Sequence, residues 1–336
     1  MSEHTVSQLT HVELLTPKPD ETVSFFKDLL GMQESGRENG SVYLRGYQDI
    51  YHHSLVVTES DQPGMGHTGW RSTSEAALQQ IAGSIEATGL GEGWMDSDVG
   101  QGPTYRFRTP DGHLQEVSWE LEPAPVPPGE ESAMPNAVQK RPLQGIPLRR
   151  IDHVNLMAAD VPTTKRFYEE HLSFRCRERV VMEGDEDFAS WLSVSPVPHE
   201  LAIMTDTTGT RGRFHHVAFW YGVEQHLNDI AEVLRDRGID IEAGPSKHGI
   251  TQSPFIYVFE PGGNRVELFG GYGYLILEPD HEQRTWTAEN LNIGTSMYGL
   301  ELPPTFFAYG TPPVGVPEEA HVAALKHNTP AALPVS

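Results

Sequence analysis

The sequence predicts an α+β protein built from four βαβββ modules, which pair into two open barrel domains. Three observations favour this fold class. The second half of the chain repeats the first, each half contains amphipathic helical stretches among strand-like segments, and a segment rich in proline and acidic residues divides the halves. The length of 336 residues suits two domains of ordinary size.

The repeat is clearest around one helical stretch of each half. Residues 66–89, GHTGWRSTSEAALQQIAGSIEATG, resemble residues 215–238, HHVAFWYGVEQHLNDIAEVLRDRG, and His67 lies 149 positions before His216. In both segments apolar residues recur at i, i+3 and i+7, and a closing glycine suits a helix C-terminus. Such internal similarity at a fixed spacing indicates a duplicated fold.

Further elements of each half match in the same order. Two more pairs of segments are similar, THVELL with DHVNLM (residues 10–15 and 152–157) and TPDGHLQEV with EPGGNRVEL (residues 109–117 and 260–268). Amphipathic helices are predicted after the first pair, around residues 21–30 and 162–171. In the second pair Glu116 takes the position of Glu267, and PGGN predicts a turn between two strands.

Composition sets the predicted domain boundaries. Residues 122–136, EPAPVPPGEESAMPN, have the proline and acid content of a linker. We predict four parts: an N-terminal domain over residues 1–122, a linker over 123–147, a C-terminal domain over 148–290 and a C-terminal extension over 291–336. The end of the extension, from about residue 315, is rich in proline and alanine and is predicted to be a mobile tail.

Charge and cysteine usage argue against several kinds of partner. The net charge of −23 disfavours nucleic acid and anionic membrane surfaces. A single cysteine, Cys176, can form no internal disulfide, which favours a reducing compartment. Because no apolar segment has the character of a signal peptide or a membrane span, we expect a cytoplasmic protein.

Three side chains of the second half are candidates for one metal site. His153, His216 and Glu267 lie in the strand-like segments RIDHVNL, FHHVAFW and NRVELF, which a barrel could bring together. Two imidazoles and one carboxylate would occupy one face of an octahedron and suit Fe(II), which binds substrate and O2 on the open face. Each residue alone is more typical of a structural role, so the hypothesis depends on all three recurring in the repeat.

Strand alternation separates the two adjacent histidines of the second segment. His216 shares a face with Ala218 and Trp220, whereas His215 points to the other side of the sheet. The repeat also aligns His67 with His216. We therefore choose His216 as the candidate ligand.

The segment HGITQSPFIYVFEPGGNRVE, residues 248–267, joins His248, Tyr257 and Glu267 at set spacings. With it, the second half resembles the type I extradiol ring-cleaving dioxygenases of the vicinal oxygen chelate superfamily, typified by catechol 2,3-dioxygenase. The resemblance covers roughly residues 9–290. It implies a glyoxalase-like fold with a catalytic C-terminal domain and a non-catalytic N-terminal one.

The resemblance also implies roles for individual residues. The metal ligands fall on His153, His216 and Glu267, with Fe(II) as cofactor, Mn(II) as an ion that accepts the same ligands, and O2 as co-substrate. The catalytic residues fall on His199, His248 and Tyr257. Among these, His199 is the candidate general acid and base, since the pKa of imidazole lies near neutrality. Tyr257 would bond a substrate oxygen, and His248 would orient Tyr257.

The implied reaction is extradiol cleavage of a catechol to a product of the 2-hydroxymuconic semialdehyde type, in aromatic-compound degradation. Asn155 and Trp191 match one branch, the homoprotocatechuate-cleaving enzymes, and the other candidate substrate-binding residues are Ile250 and Phe255, with Trp220 as a further apolar wall. That branch carries arginine five positions before His248, where this chain has Ala243. We therefore predict a neutral catechol, alkyl- or halo-substituted, and, from the family, a homotetramer or other homo-oligomer.

The first half keeps ligand-equivalent residues, His11, His67 and Glu116. Its counterparts of Tyr257, His248 and His199 are, in that order, Arg106, Ser97 and His52. Because the catalytic partners are missing, we interpret this cluster as structural; a second metal site without ring cleavage is the alternative. Two other functions compete for the whole chain, a metal-dependent isomerase of the glyoxalase type and a non-catalytic small-molecule-binding protein of the same superfamily.

Overall fold

The computed structural model describes residues 4–182 and 184–316. All but the first two residues of the predicted mobile tail lie outside this part of the chain. Within the described ranges, no helix combines the length and the apolar character needed to cross a membrane.

Each half contains two βαβββ modules. The first half consists of β1 (Val6–Thr16), α1 (Pro19–Ser24), β2 (Gln33–Glu38), β3 (Ser41–Arg45), β4 (Leu55–Glu59), β5 (Gly64–Ser72), α2 (Glu75–Glu86), β6 (Gly91–Met95), β7 (Thr104–Arg108) and β8 (Leu114–Ser118). The second consists of β9 (Arg150–Ala158), α3 (Val161–Leu172), β10 (Arg175–Val181), β11 (Asp187–Ser193), β12 (Leu201–Thr205), β13 (Arg213–Trp220), α4 (Gln225–Asp236), β14 (Ile241–Lys247), β15 (Pro254–Phe259) and β16 (Arg265–Phe269). After β16 the chain adds β17 (Arg284–Thr287) and, in the extension, α5 (Leu291–Thr295) and α6 (Pro304–Ala308).

The strands of each half form one mixed sheet. The orders are β2-β3-β4-β1-β5-β8-β7-β6 and β14-β15-β16-β13-β9-β12-β11-β10-β17. In each sheet the first strands of the two modules pair antiparallel at the centre, β1 with β5 and β9 with β13. The predicted α+β fold of four βαβββ modules is confirmed. The strand β17, which pairs parallel with β10 at the sheet edge, was not predicted.

Local sequence explains where the helices α2 and α3 begin. The Ser74 side chain accepts a hydrogen bond from Ala77 N at 3.0 Å, and Asp160 Oδ1 accepts one from Thr163 N at 3.0 Å. Such side chains satisfy the free N–H groups of a first helical turn. The apolar face that each helix then buries holds it against the sheet.

The two halves share one hydrophobic core. A five-residue π-helical turn, Phe25–Leu29, follows α1 and places Phe26 against Phe219, with ring centroids 5.7 Å apart. Trp70 packs edge-on against Phe174 at 5.0 Å. This continuous core ties the central strands of one half to those of the other. The domain boundaries stay predictions.

Candidate active site

Strand pairing brings three distant side chains of the second half together. Ala218, in β13, lies opposite His153 in β9 on one side and opposite Glu267 in β16 on the other. His216, two residues before Ala218, points to the same face of the sheet. Because neighbouring strands lie about 4.8 Å apart, the three longer side chains converge over the small side chain of Ala218.

The ligand atoms of this cluster lie at the separations that a bound metal requires. Glu267 Oε2 is 2.9 Å from His153 Nε2 and 3.1 Å from His216 Nε2, and the two nitrogens are 3.3 Å apart. Ligand atoms about 2.1 Å from one ion and at right angles to each other would be about 3.0 Å apart. All three side chains are buried. The donor set therefore fits a divalent transition-metal ion.

Hydrogen bonds to Nδ1 of each candidate imidazole ligand direct its Nε2 atom towards the other ligand atoms of the cluster. His153 Nδ1 lies 2.8 Å from Asp152 Oδ2, so Nδ1–H donates to the carboxylate. His215 Nε2–H donates to Phe306 O at 2.6 Å, which leaves His215 Nδ1 as the acceptor for His216 Nδ1–H, also at 2.6 Å. In their neutral forms both candidate ligands thus present a bare Nε2, the form that binds a metal.

Charge around the cluster also favours a cation. The carboxylates of Glu267 and Asp152 outweigh burial and raise the pKa of His153 to about 9, whereas burial lowers the pKa of His216 to about 4. The second carboxylate oxygen, Glu267 Oε1, is buried and accepts no hydrogen bond within the described part of the chain. The nearby Tyr257 hydroxyl bonds His248 instead.

A tyrosine and two histidines border the cluster. The ring of His199 lies 4.0 Å from that of His153, and burial, helped by the neighbouring histidine, lowers its pKa well below 6.5. His248 Nδ1–H donates to Thr295 O at 2.6 Å, so His248 Nε2 accepts from the Tyr257 hydroxyl at 3.0 Å. Burial lowers the pKa of His248 and raises that of Tyr257 well above 10, so both side chains are neutral.

These residues line a mainly apolar cavity of about 100 Å³. It contains His153, His216 and Glu267, the predicted catalytic residues His199, His248 and Tyr257, and three predicted substrate-binding residues, Asn155, Trp191 and Ile250. Phe255 does not line the cavity but stacks on His248, with ring centroids 3.9 Å apart. Trp220 stacks on Tyr272 at 5.1 Å, away from the cavity.

The C-terminal extension closes one side of the cavity, which sequence reasoning missed. The residues that it contributes are Leu291, Gly294, Thr295, Leu302, Phe306 and Phe307. Two of them also orient histidines of the site, since the carbonyl of Thr295 accepts from His248 and that of Phe306 accepts from His215, which bonds His216. One feature of the sequence could have indicated that the extension is buried. This is the apolar run TFFAY at residues 305–309, within a segment otherwise rich in proline and glycine.

A buried carboxyl beside His199 gives a pH-dependent stability. Burial raises the pKa of Glu200 from 4.5 to about 7, although Val194 N donates to its Oε2 at 2.9 Å. The folded protein therefore holds this proton more tightly than the unfolded chain, and the resulting stability, present below pH 4.5, is lost as pH rises through 7. We expect Glu200→Gln to unfold at a higher temperature than the unsubstituted protein at pH 8, with at most on the order of 3 kcal/mol gained. The two should be equal at pH 4.5, as thermal unfolding followed by circular dichroism would test; an equal advantage at both pH values would contradict the prediction.

The first half contains a matching cluster of His11, His67 and Glu116. The counterpart of His199 is His53, and the prediction of His52 is wrong. His53 lies two residues before β4, as His199 lies two residues before β12, and its ring is 4.7 Å from that of His11.

Comparison with known proteins agrees with this geometry. A family model described as the glyoxalase/bleomycin resistance protein/dioxygenase superfamily matches residues 8–117 and 150–268. The chain belongs to this superfamily. Within it, the chain is 44% identical to a metapyrocatechase of Geobacillus stearothermophilus, over 91% of this chain and 94% of that one. The resemblance to the extradiol dioxygenases is confirmed.

Two further relatives extend the comparison within the superfamily. A manganese-dependent 2,3-dihydroxybiphenyl 1,2-dioxygenase of Geobacillus genomosp. 3 is 34% identical, over 89% of this chain and 96% of that one. The crystal structure of the 2,3-dioxygenase LapB from Pseudomonas sp. KL28 superimposes with a TM-score of 0.78 at 27% identity, over 85% of this chain and 99% of that one. Both comparisons span the two halves, so the duplicated architecture is shared.

Proposed function

We propose that the protein cleaves the ring of a catechol beside its two hydroxyls with O2, as an extradiol dioxygenase of the catechol 2,3-dioxygenase type. The observation that carries the proposal is the cluster of His153, His216 and Glu267, which opens into an apolar cavity beside His199 and the His248–Tyr257 pair. The 44% identity to a metapyrocatechase over nearly the whole chain supports the same activity. The isomerase and the non-catalytic alternatives are set aside.

The direct test is the product. Protein loaded with Fe(II) without air, then mixed with catechol in air, should form a yellow semialdehyde that absorbs visible light. A protein that binds metal but gives no ring-cleavage product with any catechol would overturn the proposal.

The metal would be held by His153, His216 and Glu267, with Asp152 and His215 fixing the two imidazoles. When bound there, the ion supplies a Lewis acid for the catechol oxygens and an electron path from catechol to O2. We assign Fe(II) to this position. The donor set also suits Mn(II), so turnover by apoprotein reloaded with each ion separately decides between them.

The surrounding side chains move protons and orient the substrate. Because burial keeps His199 neutral, the unprotonated nitrogen of its ring can take a proton from one catechol hydroxyl in the cavity and return it during ring cleavage. The Tyr257 hydroxyl donates to His248, which leaves the phenolic oxygen to accept from the other hydroxyl. Asn155 Oδ1 is buried without a partner in the described residues and is a further acceptor at the cavity wall.

The walls of the cavity favour an uncharged ring. Among the described residues that line it there is no lysine or arginine, and Ala243, where a carboxylate-binding branch has arginine, packs buried against Tyr257. A carboxylate placed there would be desolvated without a counter-charge. The apolar lining residues include Trp191 and Ile250, which suit alkyl or halogen substituents.

Catechol, 3-methylcatechol and 4-methylcatechol are therefore expected to exceed homoprotocatechuate in kcat/KM by roughly a hundredfold, the effect of about 2.7 kcal/mol in the transition state. Initial rates of product formation at fixed O2 measure this. The matched substrate is 4-propylcatechol, which has a similar length and no charge, and it should react more like the methylcatechols. Faster turnover of homoprotocatechuate than of 4-propylcatechol would refute the preference.

We also propose a homo-oligomer, with a tetramer as the expected form. The part of the chain after β16 exposes large apolar side chains that a second copy could cover: Leu275, Leu277, Ile293, Met297 and Tyr298. Light scattering coupled to gel filtration measures the assembly, and a monomer at micromolar concentration would exclude it. A cytoplasmic location stays a prediction from the cysteine content.

A further inference from the structure

The cluster of the first half reproduces the geometry of the candidate active site. His11 Nε2 is 3.0 Å from His67 Nε2 and 3.2 Å from Glu116 Oε1, and His67 Nε2 is 3.5 Å from the same oxygen. The corresponding three distances in the second half range from 2.9 to 3.3 Å. All three side chains are buried. Five of the six separations lie within about 0.3 Å of the 3.0 Å for ligands at right angles on one ion, and the sixth, from His67 Nε2 to Glu116 Oε1, is longer at 3.5 Å.

The backbone makes room for this arrangement in the same way. Gly69, in β5, pairs with His11 in β1 and with Glu116 in β8, as Ala218 does for the second cluster. A Cβ at Gly69 would overlap the His11 ring. The His11 imidazole thus lies directly over Gly69, in the space that an alanine side chain would occupy.

Hydrogen bonds outside the cluster hold its ligands in the metal-binding orientation. His67 Nδ1–H donates to Glu13 Oε2 at 2.9 Å, which leaves His67 Nε2 bare and directed at the cluster. His11 Nδ1 contacts Thr10 Oγ1 at 3.0 Å. A carboxylate behind a histidine is the usual partner of a metal-bound imidazole. Glu13 thus bonds His67 Nδ1 as Asp152 bonds His153 Nδ1, although it lies on the neighbouring strand.

The charges around the cluster leave it in need of a cation. Glu116 Oε2 accepts from Arg106 Nε at 2.9 Å, and Arg106 also reaches Asp98 at 3.4 Å. Glu116, the partly exposed Asp98 and Glu13, which bonds His67, carry three negative charges against the one positive charge of Arg106, so the charges in and around the cluster sum to −2 when its histidines are neutral. A divalent ion would balance that charge in a site shielded from water.

We propose that His11, His67 and Glu116 bind a second divalent transition-metal ion, and that this ion stabilises the first half without taking part in ring cleavage. The chemistry around it excludes a second active site. Arg106 stands where the second half has Tyr257, and Gln101 Nε2 donates to Glu116 Oε1 at 2.6 Å. The N-terminal cluster thus has no counterpart of the His248–Tyr257 pair, and its carboxylate is fixed by the protein on both oxygens.

Metal analysis of the full-length protein tests this inference. Apoprotein titrated with Mn(II) and dialysed should retain two ions per chain by plasma mass spectrometry. His67→Asn should retain one, Glu267→Gln should retain one, and the double variant none. Free Mn(II) measured by electron paramagnetic resonance should give a stoichiometry of two for the unsubstituted chain and one for each single variant.

Glu13→Gln is a second variant that tests the site if His67→Asn fails to fold, because it leaves all three ligands in place. It should weaken Mn(II) binding at one of the two sites by roughly 10- to 100-fold, the usual effect of losing such an outer carboxylate. Catechol turnover should stay unchanged in Glu13→Gln and in His67→Asn. One ion per chain in the unsubstituted protein, lost in Glu267→Gln and unaffected by His67→Asn and Glu13→Gln, would overturn the inference while leaving the proposed enzymatic activity intact.

Discussion

Replacing Glu267 by glutamine is expected to abolish catechol cleavage, with kcat/KM reduced by about a thousandfold or more. Glu267 Oε2 lies within 3.1 Å of both candidate imidazole ligands, and it is the one carboxylate of the three-residue cluster. An amide oxygen has the same reach but no charge, so it neither balances a divalent ion nor holds it as tightly. A thousandfold loss corresponds to about 4 kcal/mol of transition-state stabilisation.

The matched control is Glu116→Gln, the same change at the equivalent position of the first half. Its turnover of catechol should stay within about twofold of the unsubstituted enzyme, since the N-terminal cluster lacks the catalytic partners. Product absorbance and metal content are measured on both variants at the same added Fe(II). Substantial cleavage by Glu267→Gln, or equal losses in the two variants, would contradict the assignment of the active site to the second half.

The repeat in the sequence made the fold and the metal cluster predictable. His153 and His216 are 63 positions apart and His153 and Glu267 are 114 apart, so their proximity follows only from pairing of β9, β13 and β16. A duplicated pattern indicates which strands are equivalent, and equivalent strands occupy equivalent places in their sheets. Alternation then separated His216 from His215 without further information.

The features of the site that were not predicted depend on contacts that the sequence repeat does not reveal. The extension has no counterpart in the first half, so nothing in the sequence indicated that Phe306 and Thr295 would border the cavity. The hydrogen bond from His215 to Phe306 O, which fixes the tautomer of His216, was not predictable for the same reason, because Phe306 belongs to the extension. His52 and His53 are adjacent, and only the register of β4 against β1 shows that His53 faces His11.

Phe255 shows the limit of inferring a substrate wall from residue type and sequence position. A strand aromatic near the catalytic residues was interpreted as a wall of the substrate site, yet its ring stacks on His248 at an interplanar angle of 14°. Its contribution is therefore to hold the imidazole that accepts from Tyr257. A residue can thus matter to the reaction through another side chain without touching the cavity.

Replacing His199 by asparagine is expected to lower kcat for catechol by roughly 10²- to 10⁴-fold, the range for loss of a general acid or base. The bound metal should remain, because His199 lies beside His153 rather than among the candidate ligand atoms. Burial and the neighbouring His153 lower its pKa well below 6.5, which keeps the imidazole neutral and ready to accept a proton in the neutral pH range. Asparagine retains hydrogen-bonding groups but takes up no proton in this range.

The decisive comparison is between kcat and KM, with His53→Asn as the matched control from the first half. A proton-transfer role predicts that His199→Asn reduces kcat while KM for catechol changes by only a few-fold, because substrate binding depends on the metal and the apolar walls. His53→Asn should leave both constants unchanged, since His53 contacts the N-terminal cluster. If His199→Asn instead raised KM and left kcat intact, His199 would be a substrate-binding residue, and the proton would have to be carried by the His248–Tyr257 pair.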